Sequence, residues 1–272
     1  MARAPSPADV TMATQPGTKH SRIALDLQGP VARITLNNPP LNIIDVPMME
    51  ELAEALAEIE AQLEIGILII RGSQKAFSVG VDVAAHAPNQ VEGMLAQFHA
   101  IIRTLVGSKK VSIAAVHGHC LGGGAELAMV CDLVYTSELA TWGFPEIKLG
   151  CFPPVAVTAL AALVGQKQAA DLVLTGRSIT GKEAANIGLA NSVVPEIDLE
   201  HTVQDAVHHL SQLSPAALAI TKKAIYAWDS IHFDKGLARA EKIYFDELMQ
   251  THDAQEGINA FLEKRPPVWK GK

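Results

Sequence analysis

Apolar residues recur along the chain in two rhythms that alternate, and the alternation predicts an α/β architecture. Arg22 to Leu27 and Val31 to Leu36 read as strands joined at Gln28-Gly29-Pro30, with Ala32, Ile34 and Leu36 on one face. Asn37-Asn38-Pro39-Pro40 breaks the pattern. From Pro47 onward Met49, Leu52, Leu56, Ile59 and Leu63 recur at three- and four-residue steps, which predicts an amphipathic helix. Gly66-Ile67-Leu68-Ile69-Ile70, bounded by Gly72, reads as a strand buried on both faces. A second helical stretch carries Val91, Leu95, Phe98, Ile102 and Leu105. The β-branched run Val111 to Val116 is a further strand, followed by a short apolar helix over Ala125 to Val130 and a strand over Leu133 to Thr136.

Beyond residue 153 the texture becomes mainly helical. Thr180 and Glu183 stand in capping-box spacing at a helix start. Ser214-Pro215 opens another helix, carrying Leu218, Ile225 and Trp228. Phe233 to Met249 and Asp253 to Leu262 are the last two helical segments, and no convincing strand follows residue 210. The chain thus divides into an N-terminal tail (1–20), an α/β core (21–210) and a helical C-terminal region (211–272). There is no internal sequence repeat.

Composition narrows the class. With 272 residues and 49% hydrophobic content, the chain can bury roughly 70–75% of its unfolded surface. A net charge of −7 argues against a general binder of nucleic acid or anionic membranes. No apolar run approaches the ~20 residues of a membrane span. Residues 1–19 are rich in Ala, Pro, Ser and Thr and lack an apolar signal core, so a disordered tail is expected rather than a signal peptide. Cys120, Cys131 and Cys151 lie in apolar contexts, which predicts buried reduced thiols in a cytoplasmic protein.

Candidate chemistry concentrates between Val116 and Glu146. The strand ending at Val116 turns through His117-Gly118-His119-Cys120-Leu121 into Gly122, Gly123 and Gly124 and then into the helix. Three glycines at such a turn let the backbone approach another group closely, and helix-start N–H groups favour negative charge. Glu126 sits in the first turn with few polar neighbours, and Glu146 follows in Trp142-Gly143-Phe144-Pro145-Glu146. An anion-binding turn beside two carboxylates in apolar company suits carbonyl and enolate chemistry. The same residues also fit a turn shaped for packing and a Glu that complements the helix dipole. A dinucleotide fingerprint and a P-loop are excluded by spacing. His117 and His119 lack a metal-site pattern, so no metal is expected. Ser78 and Ser112 lack a nucleophile elbow.

Five motifs, in order and over roughly residues 22 to 265, resemble the enoyl-CoA hydratase/isomerase (crotonase) superfamily. They are Lys75-Ala76-Phe77-Ser78-Val79-Gly80-Val81-Asp82-Val83, the stretch from Ala115 to Ala128, Phe144-Pro145-Glu146, Thr175-Gly176-Arg177 with Ala184 to Leu189, and Ala260 to Arg265. The resemblance implies a crotonase-like spiral of ββα units with a C-terminal helical trimerisation region, assembled as a homotrimer or homohexamer. It implies an acyl-CoA thioester substrate and no separate cofactor, since coenzyme A belongs to the substrate. It assigns Val81 and Gly123 to an oxyanion hole and Glu126 and Glu146 to catalysis. Lys75, Phe245 and Lys264 would meet the nucleotide end of coenzyme A; Trp142, Phe152 and Pro154 complete the substrate-binding set.

Two departures bear on the substrate. Val81 stands where Ala is more usual. Gly150-Cys151-Phe152-Pro153-Pro154-Val155 replaces a Gly-rich loop, and Pro154 has no N–H with which to position water. This loop, with Asn42 to Glu51 and Gly80 to Pro88, is similar to cyclic dienoyl-CoA hydratases, which hydrate cyclohexa-1,5-diene-1-carboxyl-CoA. An ordinary 2-enoyl-CoA hydratase, an enoyl-CoA isomerase, a CoA-ester hydrolase and a non-catalytic RNA-binding member of the fold are the alternatives. The acidic balance and the intact Glu pair speak against the last.

Overall fold

The computed structural model describes residues 20–271 other than Pro88, without the side chains of residues 227–231. The tail expected over residues 1–20 therefore lies outside the described residues except for His20. Strands β1 (Ile23–Gln28) and β2 (Val31–Leu36) form the expected hairpin, with Ile23 opposite Leu36 and Gln28 opposite Val31. Ala32, Ile34 and Leu36 are fully buried, as their alternation requires. Helix α1 (Val46–Ala61) begins at Asp45, whose side chain accepts the Met48 N–H, with Pro47 in the first turn. Its buried stripe includes Met49, Leu52, Leu56 and Ile59. Leu63, expected on that stripe, instead lies past the helix end and is 89% exposed. The backbone turns extended at Gln62, whose carbonyl accepts the Lys110 ammonium at 2.6 Å, and this ends the helical periodicity.

A strand-strand-helix unit then occurs three times. The first is β3 (Ile67–Gly72), β4 (Ala76–Ser78) and α2 (Val91–Gly107). The second is β5 (Val111–Val116), β6 (His119–Leu121) and α3 (Gly123–Met129). The third is β7 (Leu133–Ser137), β8 (Thr141–Gly143) and α4 (Pro154–Val164). Next come α5 (Gln166–Thr175), β9 (Ser178–Thr180), α6 (Gly181–Asn186), β10 (Ser192–Val194) and α7 (Leu199–Ser211). Each unit gives its first strand to a sheet ordered β1-β2-β3-β5-β7-β10 and its second to a sheet ordered β4-β6-β8-β9. Pairing is parallel from β2 to β10 and from β4 to β8, which is why the connecting runs β3 and β5 are almost wholly apolar. The spiral of ββα units is therefore present without any sequence repeat: geometry recurs, residues do not.

Helix α8 (Pro215–Asp246) is capped by Ser214, as expected, but it is one helix of 32 residues where two segments were predicted. No proline or glycine falls between Pro215 and Gly236, so nothing interrupts the hydrogen-bond ladder. Helix α9 (His252–Leu262) follows, and the chain end folds back on it: Arg265 pairs with Glu256 at 2.6 Å, and the Lys270 and Gly271 N–H groups donate to Asp253. Among the described residues no helix is long and apolar enough to cross a membrane.

Candidate active site

The site is assembled where β6 gives way to α3. Gly122 adopts φ 53°, ψ −130°, a conformation open in practice only to glycine. A Cβ on it would stand 2.7 Å from Glu146 Oε1, so the missing side chain is the space in which that carboxylate rests. Glu146 itself belongs to the short 3-10 turn Pro145–Leu149 after β8. One turn into α3, Glu126 points the same way and is 3% exposed. Its Oε1 accepts the Ala156 N–H at 2.9 Å, at the start of α4. Glu146 Oε2 is buried and has no hydrogen-bond partner among the described residues.

Both carboxylates line one cavity of about 90 Å³ whose other walls are mostly apolar, among them Phe98, Phe152 and Pro154. Burial pushes Glu126 up to about 7, held back by the Ala156 and Val155 N–H groups. Burial, and then repulsion from Glu126, pushes Glu146 up to about 8. Two mutually repelling carboxyls buried on one mostly apolar cavity hold protons to higher pH than free carboxyls do. A larger cavity of about 310 Å³ opens between α3, α4 and α8. Its lining includes a single carboxylate, Asp132, which is already paired with Lys222. The smaller cavity is the one equipped for proton transfer.

Backbone donors form the opposite wall. Ile44 bridges Val81 in parallel fashion: the Ile44 N–H donates to the Gly80 carbonyl at 2.9 Å and the Asp82 N–H donates to the Ile44 carbonyl at 3.3 Å. That register turns the Val81 N–H away from the Ile44 strand. The Gly123 N–H, first in α3, has no acceptor within its helix. A Cβ on Gly123 would lie 3.4 Å from Val81 N and 2.7 Å from Val81 Cγ2, so only glycine lets the two backbones meet.

A buried network fixes this wall. Asn42, at φ 53°, donates from Nδ2 to the Ser73, Ala76 and Phe77 carbonyls at 3.0, 2.8 and 3.3 Å. Ser78 Oγ donates to the Asn42 carbonyl and accepts the Gly80 N–H. The turn carrying Val81 is thereby held from two sides.

The structure brings Val81, Gly123, Glu126, Glu146, Phe152 and Pro154 together on one cavity. Trp142 is not among its lining residues: it is fully buried in the core and donates from Nε1 to Thr136 Oγ1 at 3.0 Å. Its nearness in sequence to Glu146 does not become nearness in space, because β8 directs the indole into the packing beneath the second sheet. Lys75 and Lys264 are exposed and lie off the cavity wall, as does the half-buried Phe245. His117 donates from Nε2 to the Gln74 carbonyl at 3.0 Å, and no cluster of potential metal ligands occurs among the described residues. Sequence reasoning passed over Phe98, Cys151 and Tyr244, all of which line the cavity. Tyr244 had a signal: with Leu237 and Ala240 it makes the buried stripe of α8.

Comparison with known proteins agrees with the geometry. The family model for enoyl-CoA hydratase/isomerase matches residues 26–272. A probable mitochondrial enoyl-CoA hydratase of Dictyostelium discoideum is 36% identical over 252 residues, covering 90% of this chain and 89% of that protein. The cyclohexa-1,5-dienecarbonyl-CoA hydratase of Thauera aromatica is 34% identical over 251 residues, covering 92% and 97%. The crystal structure of an enoyl-CoA hydratase from Mycobacterium avium subsp. paratuberculosis superposes with a TM-score of 0.83 at 27% identity, covering 92% and 99%. Matches of this length and identity, on a chain built from the same strand-strand-helix units, mean that the protein belongs to the enoyl-CoA hydratase/isomerase family.

Proposed function

We propose that this chain adds water to a conjugated acyl-CoA thioester, with coenzyme A carried by the substrate and no further cofactor. The observation that supports it most is the burial of Glu126 and Glu146 on one cavity beside the Val81 and Gly123 N–H groups. With the thioester carbonyl between those two donors, the oxygen gains negative charge as an enolate forms, and one such donor contributes ~3 kcal/mol to lowering the barrier. Glu126 is the better base, because the Ala156 N–H stabilises its ionised form. Glu146, unpartnered at Oε2 and raised further, keeps the proton. Glu126 takes a proton from water as the water oxygen bonds to the carbon β to the thioester. The π electrons move toward the thioester oxygen, and Glu146 then delivers a proton to carbon as the carbonyl re-forms. Lys75, Lys264 and Phe245 meet the nucleotide end of coenzyme A, from the same or a neighbouring subunit.

Pro154 bears on the choice of substrate. It is the first residue of α4 and lines the cavity with no N–H, while the next two N–H groups, Val155 and Ala156, are directed at Glu126. No donor of that helix start is left to hold water, so another group of the cavity must do so. In cyclohexa-1,5-diene-1-carboxyl-CoA, water adding β to the thioester sends charge to the thioester oxygen, and the resulting dienolate takes its proton at the far end of the diene. This 1,4-hydration is the reading favoured by the likeness of the loop to cyclic dienoyl-CoA hydratases and by the Thauera aromatica relative. The ordinary hydratase reading has equal support from relatives, and the substrate test separates the two. The kcat/KM for the cyclic diene is expected to exceed that for crotonyl-CoA by at least tenfold. A preference for crotonyl-CoA returns the protein to the ordinary hydratases.

Assembly provides a second test. Ile220 and Ile225 on α8 are 68% and 65% exposed, and Phe261 on α9 is 53% exposed, a surface that self-association would cover. Trp228, expected on the same face, is outside the described side chains. Light scattering is expected to give a trimer or hexamer of the 29.0 kDa chain; a monomer at micromolar concentration refutes it.

A further inference from the structure

The catalytic cavity holds another polar group that the steps above leave unused. Tyr244, on the buried stripe of α8, is 1% exposed and forms part of the wall along with Glu126 and Glu146. Its ring meets those of Phe152 and Phe245 edge-on, with centroids 5.2 and 5.7 Å away. The hydroxyl is buried and has no nitrogen or oxygen hydrogen-bond partner among the described residues; its neighbour is the Cys151 sulfur, a weak acceptor. The Cys151 thiol beside it gives its own proton to the Leu149 carbonyl at 3.7 Å. Glu146 Oε2 is a second unpartnered oxygen of the same cavity. A buried hydroxyl with only a sulfur acceptor is poorly satisfied, and phenylalanine would fill this place equally well. Something other than packing must satisfy it.

We propose that Tyr244 is a catalytic residue that donates a hydrogen bond to the oxygen being added, the same oxygen that Glu126 deprotonates. The inference rests on the hydration reading above and supplies the donor that Pro154 withholds. Tyr244 keeps its proton throughout: the water proton goes to Glu126, the new C–O bond takes a lone pair of that oxygen, and Glu146 protonates carbon. Burial, and next the neighbouring Cys151, push tyrosine ionisation well above its ordinary range, so the hydroxyl remains a donor wherever the enzyme works. In the reverse direction the same contact holds the hydroxyl group of the product, so Tyr244 distinguishes alcohol-bearing thioesters from saturated ones.

Tyr244→Phe removes one oxygen and nothing else. On whichever of cyclohexa-1,5-diene-1-carboxyl-CoA and crotonyl-CoA the wild type turns over faster, kcat is expected to fall by roughly 10–100-fold, up to the lower end of the loss of an oxyanion donor. KM should move by less than about threefold, since the thioester contacts are untouched. Dehydration of the hydroxyacyl-CoA product should slow by the same factor. The thermal midpoint should be unchanged or higher, because a poorly satisfied buried hydroxyl has gone. A variant within about twofold of wild type in kcat overturns the proposal, as does a rate loss accompanied by a lowered midpoint, which marks a merely structural hydroxyl. Wild-type substrate preference tests the diene reading separately, since the variant is scored as a ratio on a single substrate.

Discussion

Glu126→Gln and Glu146→Gln are each expected to cut kcat by roughly 10²–10⁴-fold, the range for a positioned acid or base, while the protein stays folded. On the proposed mechanism the first removes the group that deprotonates water and the second the group that protonates carbon, so each stops a different half of the same addition. Both variants running at wild-type rate would rule out the two-carboxylate mechanism. The wild-type rate should be bell-shaped in pH, with limbs belonging to the pair rather than to either residue. Glu146→Gln should lose the alkaline limb, because no acid is left to be deprotonated. Stability carries its own signature. Both carboxyls ionise in the folded protein well above the ordinary value of 4.5, at about 7 and about 8. Between those limits the folded state holds protons that the unfolded chain has released, so their contribution is favourable at low pH and is lost as pH rises through the window. The glutamine variants escape that loss. Their urea midpoints should exceed that of wild type by more at about pH 8 than at about pH 5, and equal offsets at the two pH values would count against buried, proton-holding carboxyls.

What sequence made legible here was local. Thr180 and Glu183 form the capping box their spacing requires, with the Glu183 carboxylate accepting the Thr180 N–H at 2.8 Å and Thr180 Oγ1 accepting the Glu183 N–H at 3.2 Å. Glu126 stood out because a lone acid in an apolar helix start is expensive to bury without a task, and Gly122 because three glycines in a row exclude every side chain. Trp142 and Tyr244 went the other way, one from expected site to core and one from unnoticed to cavity wall. Each lies on an element whose neighbours in space are distant in sequence, and periodicity says which face is buried without saying against what. Asn42 shows the limit most plainly. Its three carbonyl partners lie more than thirty residues away, at Ser73, Ala76 and Phe77, so the residue that braces the Val81 turn carries no local mark of doing so.

Lys222→Met is expected to destabilise the protein by about 3–5 kcal/mol, the usual consequence of stripping one partner from a buried ion pair. Lys222 reaches inward from α8, with its side chain 7% exposed, and its ammonium lies 2.7 Å from Asp132, itself 12% exposed. The ammonium also donates to the Lys110 carbonyl at 2.9 Å. Asp132 Oδ2 accepts the Ser112 N–H at 2.7 Å and Ser112 Oγ at 2.9 Å. One lysine thus ties the long C-terminal helix to the entry of β5 and to the turn that ends α3, the helix bearing Glu126. Methionine fills similar volume but leaves Asp132 buried with only neutral donors. Asp132→Asn leaves the opposite orphan, an ammonium with only neutral acceptors, and should cost a similar amount. The double variant should be less destabilised than the sum of the two, because neither charge is then left without its partner, and coupling of ~0.5–3 kcal/mol is usual for residues in contact. Chemical denaturation of the four proteins reads this directly. Strict additivity would mean that Lys222 and Asp132 do not act as a pair.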